Sequence, residues 1–151
     1  MTNIIRLFEF LRITCAGTGF FMAYQSASSH PLFWITTLVV IPLSGLTALE
    51  SLLFKQLSAQ AKQRESGSDY QTQSALNNLA TALTAALVLV LHLGTQAQLT
   101  IILSSLLFFT LSSIKHAHEY LVNKKNSIHA QRFILSGLLV GASLPLILPY
   151  L

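Results

Sequence analysis

The chain has 151 residues, 52% of them hydrophobic and 9% charged, against about 25% charged in an ordinary soluble domain, and this excludes a water-soluble globule. Nine basic and five acidic residues leave a net charge of +4, too few charges for a disordered chain or for an electrostatic nucleic-acid surface, so no nucleic-acid partner is expected. None of these charges falls between Ile13 and Leu49, between Tyr70 and Ile114, or after Arg132, gaps of 37, 45 and 19 residues. A membrane-spanning helix takes about 20 apolar residues, so the gaps accommodate two, two and one spans.

In chain order, the first predicted helix covers 4–24. Gln25 to Pro31 is too polar to continue a span, and Pro31 suits the first position of a second helix over 31–54. Residues 55–74, rich in Gln and Ser and broken at Glu65-Ser66-Gly67-Ser68-Asp69, read as a solvated cytoplasmic linker in which Asp69 or Ser68 caps the next helix. A third helix over 75–93 and a fourth over 99–121 form an antiparallel hairpin through the short connection Gly94 to Gln98. The fifth covers 132–150. A cleaved leader over residues 1–28 is not expected, because Ser26-Ala27-Ser28 lacks a small-x-small site with Ala at both positions.

With five spans every Lys and Arg falls on one side. Arg6 and Arg12 open the first helix, Lys55, Lys62 and Arg64 follow the second, and Lys115, Lys124, Lys125 and Arg132 lie between the fourth and fifth. The positive-inside rule then places the N-terminus in the cytoplasm and the C-terminus outside. Tyr24, Phe33, Trp34 and Tyr150 fall at the outer boundary, and Phe8, Phe54, Tyr120 and Phe133 near the inner one, as aromatic belts require. The expected fold is an all-α integral membrane protein, a single polytopic domain over 1–151 in the bacterial inner (cytoplasmic) membrane.

Three groups of residues stand out. Glu50 and Arg12 lie inside apolar helices at similar depth, beside Asn77 and Asn78, and charges placed so usually find partners. The expectation is an inner-leaflet cluster in which Glu50 pairs with Arg12 and accepts a hydrogen bond from Asn77 or Asn78, the alternative being that both charges snorkel apart. Small residues at four-residue spacing mark helix packing: Cys15, Gly19 and Ala23 in the first helix, Asn78, Ala82 and Ala86 in the third, and the GxxxG pair Gly137 and Gly141 in the fifth. Such stripes pack helices within the chain or dock a second copy. His116 and Glu119 share a helix face at i, i+3, a spacing that metal sites in bundles use, but two ligands are half of a closed zinc site. A solvated helix end is the plainer reading, and no metal or cofactor is expected. Haem is a weaker possibility, because His92 and His116 belong to opposite ends of the hairpin.

The lone Cys15 allows no intrachain disulfide, and no Gly-rich phosphate loop, GxSxG or HExxH occurs. The sequence therefore favours a structural or accessory subunit of a membrane assembly, with the lipid bilayer and either a membrane-protein partner or a parallel homo-oligomer as its contacts. An oligomeric transporter or channel using the polar cluster is the alternative, and a haem- or metal-binding redox anchor the third.

Overall fold

The long charge-free stretches fold as helices, the one structure that satisfies every backbone group within a single segment. A computed structural model describes residues 2–25, 30–61, 69–122 and 127–151, and all regular elements among them are helical. They are α1 (Thr2–Gln25), α2 (Pro31–Leu53), α3 (Lys55–Ala61), α4 (Asp69–Val90), α5 (Thr95–Val122) and α6 (Ser127–Ile147), the last closed by a 3-10 turn over Leu148–Tyr150. Lys62, Arg64, Ser68, Lys124, Lys125 and the turn residues 26–29 lie outside the described residues, as does the side chain of His129.

Among the described residues, four segments are long and apolar enough to cross a membrane: Pro31–Leu53, Asp69–Val90, Thr95–Val122 and Ala130–Tyr150. The remaining long helix, α1, is not in this set, because Arg6, Glu9 and Arg12 fill its first half and Gly17, Thr18 and Gly19 dilute its second.

The expected linker over 55–74 is largely helical. Phe54 leaves helical geometry at φ −122°, ψ 44°, and the chain bends there into α3, where Ser58 and Ala59 are buried. Gln71 Nε2 donates to the Lys55 carbonyl at 2.9 Å and Lys55 Nζ to Thr72 Oγ1 at 3.4 Å, so the first turn of α4 is tied to the start of α3. Polar composition concealed these turns because Gln, Lys and Ala are also good helix formers.

The α4–α5 connection also differs from the expected Gly94–Gln98 loop. The Leu93 N–H bonds back to the Val88 carbonyl and the His92 N–H to the Leu89 carbonyl, the paired bonds of a Schellman cap with His92 in its left-handed position. That cap closes α4 at Val90, and α5 restarts at once, with the Gln98 N–H on the Gly94 carbonyl. Gly94 takes φ +87° freely, whereas His92 holds φ +50° against the steric preference of its Cβ. His92→Gly is expected to raise stability by about 1 kcal/mol, read as a higher midpoint in denaturant titration in mild detergent; an unchanged or lower midpoint would contradict the cap.

Within α2, Ile35–Val40 forms a π-helical turn in which the Ile41 N–H reaches the Thr36 carbonyl. The cause lies two residues further on. Pro42 has no N–H, and in an α-helix its ring would collide with the carbonyl four residues back, that of Leu38. The wider π turn makes room for it and pushes Leu38 and Val39 against Gly19 of α1. The apolar core gathers around the same end of the bundle: Ala23, Leu32, Ile35, Val39, Val40, Ala85, Leu99, Ile102, Leu106, Leu146 and Ile147. Tyr24 adds a hydrogen bond from its hydroxyl to the Ala142 carbonyl at 2.9 Å, near the turn of α6 that Pro145 interrupts.

Candidate functional site

At the other end of the bundle the packing is polar. α1 runs antiparallel to α2, which brings Gly19 beside Leu38 and Arg12 beside Thr47 and Glu50. Arg12 Nη2 lies 2.5 Å from Glu50 Oε2, with the Glu50 side chain wholly buried and that of Arg12 13% exposed. The other guanidinium nitrogens are used as well: Nη1 donates to Thr47 Oγ1 at 2.9 Å and Nε to the Phe8 carbonyl at 3.2 Å. Glu50 Oε1 accepts from the Ser58 hydroxyl at 2.7 Å. Phe8 and Phe54 close the cluster edge to face, their centroids 6.0 Å apart.

Each partner depends on a local feature of the chain. Thr47 is one turn N-terminal to Glu50 on the same helix face. Ser58 reaches the carboxylate only because the chain bends at Phe54. Arg12 gets its depth from the close α1–α2 approach at Gly19, where an added Cβ would meet Leu38 Cβ and Val39 Cγ2 at 2.8 Å.

The structure thus brings Arg12 and Glu50 together and leaves the two asparagines out. Asn78 donates to the Ser74 carbonyl of its own helix at 2.8 Å, and Asn77 is exposed, its carbonyl accepting from Thr81 at 3.0 Å. Depth is not the reason, because Gly45 lies by Ala82 and Lys55 by Thr72, a register that sets Asn78 level with Glu50. Rotation is: Glu50 turns toward α1 and α3, while the buried face of α4 carries Ala75, Ala82 and Ala85, with Ala82 against Gly45 of α2. Thr47 and Ser58 join the site without being expected from the sequence, and the one signal for Ser58, its place two turns beyond Glu50, is hidden by the break at Phe54.

Gly19 is buried in the helix interface with Ala23, and Cys15 is half-buried and free. Gly137 and Gly141 do not pack helices within the chain. Both are exposed, and a Cβ at either would meet nothing within 4 Å, because α6 turns toward the apolar core the face that carries Leu139, Val140, Leu146 and Ile147.

His116 is buried, contrary to a solvated helix end, while Glu119 is half-buried. Among the described residues no group of three or more His, Cys, Asp and Glu stands close enough to hold a metal. His92 lies at the opposite end of the α4–α5 hairpin, roughly 30 Å from His116 at ~1.5 Å per helical residue, too far for one macrocycle.

No protein-family model, curated protein or solved structure matches the chain. What its own architecture defines is a class, a helical bundle carrying four membrane-length apolar helices, as in a multi-pass membrane protein.

Proposed function

We propose that the protein is a five-span bundle of the bacterial inner membrane, N-terminus cytoplasmic and C-terminus outside, that serves as a structural or accessory subunit of a larger membrane assembly. The observation carrying this reading is the enclosure of Glu50, whose carboxylate is occupied by Arg12 and Ser58 with no exposed surface. A buried pair held on all sides is a clamp between helices. A transporter or channel would need that carboxylate to face a pathway, and its enclosure weighs against one.

The same pair supports α1 as the fifth span. Alone, α1 is too charged, but Arg12 is neutralised inside the bundle and α1 lies along α2 from Arg12 to Ala23, sharing its depth. Arg6, Lys55, Lys115 and Arg132 then collect at one end of the antiparallel helices, which is the basis for the cytoplasmic assignment.

Native mass spectrometry after mild solubilisation tests the accessory role. Co-purification with a second membrane protein in fixed ratio is the expected result, and recovery as a stable, partner-free monomer overturns it. Sidedness is tested on a Cys15→Ala background with single cysteines at positions 95 and 151. Both are expected to label from outside, and labelling of position 151 from the cytoplasm refutes the topology.

A further inference from the structure

α5 and α6 pack antiparallel and are pinned where the Ser113 hydroxyl donates to the Phe133 carbonyl at 3.3 Å. Beside this contact they leave a groove of about 430 Å³ lined by Thr110, Ile114, His118 and Leu121 of α5 and by Phe133 and Gly137 of α6. The groove is open because Gly137 offers no side chain, and a Cβ there would touch nothing.

Its length and position are informative. From Thr110 to Leu121 it runs roughly 16 Å at ~1.5 Å per residue, about half of the ~30 Å hydrocarbon core of a bilayer. Counting that ~30 Å from Leu99, the first apolar residue of α5, brings the hydrocarbon boundary to about His118. The groove therefore occupies one leaflet, with its apolar part in the acyl region and His118 at headgroup level. Lys115 is exposed one turn from His118 on α5, and neither makes an ion pair among the described residues. An apolar channel one leaflet deep, with an imidazole in its lining and an exposed lysine on its flank whose long stem reaches toward headgroup level, matches a phospholipid of negative charge.

We propose that this groove holds one acyl chain of an anionic phospholipid, whose phosphate lies against Lys115 and His118. A second copy of the chain fits less well. Parallel copies would bring the same cations together, and the groove includes Gly137 but not Gly141, so it is not the four-residue ridge that a helix pair shares. Lipid binding here requires the helices to lie in a bilayer, and it does not depend on the accessory role or on which side faces the cytoplasm.

The test uses the full chain with Trp34→Phe and Phe133→Trp, so that the only indole lines the groove. Reconstitution into phosphatidylcholine vesicles with increasing fractions of a dibrominated lipid reads local occupancy as quenching. Dibrominated phosphatidylglycerol is expected to quench at about tenfold lower fraction than dibrominated phosphatidylcholine. Lys115→Gln with His118→Gln should abolish that preference while leaving phosphatidylcholine quenching unchanged. Gly137→Leu should lower quenching by both lipids, and it keeps helix propensity, so loss of fold is not the expected cause; an unchanged unfolding midpoint verifies this. Equal quenching by the two lipids in the parent protein overturns the proposal. So does a dimer in native mass spectra whose formation Gly137→Leu prevents, which would give the groove to a second copy.

Discussion

Arg12→Ala is expected to destabilise the fold by about 3–5 kcal/mol, the usual loss when one member of a buried ion pair is removed and the other charge is left without its partner. The sign separates two views of this residue. If Arg12 only snorkelled to the interface, its removal would make α1 more apolar and would cost nothing or improve insertion. In the observed geometry the same change takes the guanidinium from the fully buried Glu50 while Ser58 still donates to it, and it removes the donor to Thr47 Oγ1, which keeps its own bond to the Leu43 carbonyl.

Glu50→Gln is expected to cost less than Arg12→Ala. The amide still accepts from Ser58, and Arg12, 13% exposed, keeps Thr47 and the Phe8 carbonyl. Ser58→Ala should cost about 1–3 kcal/mol through the loss of a donor to a buried carboxylate. Replacing both charges, Arg12→Met with Glu50→Met, should recover most of the loss, because well-packed apolar side chains replace buried pairs at little cost. Denaturant titration of the four variants in one detergent checks the series. A loss below about 1 kcal/mol for Arg12→Ala, or a double variant as damaged as the sum of the singles, would refute the clamp.

The parts of this fold that could be read from sequence are those set by one-dimensional spacing. Charge-free runs of 37, 45 and 19 residues required long apolar helices, and the matching depths of Arg12 and Glu50 marked them as a candidate pair. What spacing does not carry is rotation and bending. Asn78 has the right depth but the wrong azimuth, and a sequence without a helix-packing register does not say which face meets which. Ser58 reads as part of a solvated linker because the bend at Phe54 carries no Gly or Pro, the usual punctuation of a turn. The π turn in α2 likewise arises from Pro42, yet a proline alone fits equally well with a kink. The GxxxG pair is legible as a motif, but whether it is used within the chain depends on how α6 is rotated, and the face that reaches the core carries Leu139, Val140, Leu146 and Ile147 instead.

Gly19 and Gly137 were alike in the sequence, each a glycine in a small-residue stripe, and they are expected to respond oppositely to the same substitution. At Gly19 a Cβ would stand 2.8 Å from both Leu38 Cβ and Val39 Cγ2 and 3.3 Å from the Leu38 backbone carbon. The backbone there cannot yield cheaply, because Leu38 lies in the π turn that accommodates Pro42. Gly19→Ala should therefore cost about 1–3 kcal/mol as overpacking, and Gly19→Leu should part α1 from α2 and carry Arg12 away from Glu50. Gly137→Ala meets open space and removes a helix-destabilising glycine, so it should be neutral or stabilising by up to about 1 kcal/mol. A second measurement ties the first result to the polar clamp. If α1 is displaced as a unit, Gly19→Leu and Arg12→Ala should be strongly non-additive, the double variant losing little beyond the worse single, since either change already leaves Glu50 without its guanidinium. Additive losses would mean that the α1–α2 contact at Gly19 and the ion pair two turns away are independent, and the account of α1 as a span held in place by both would fail.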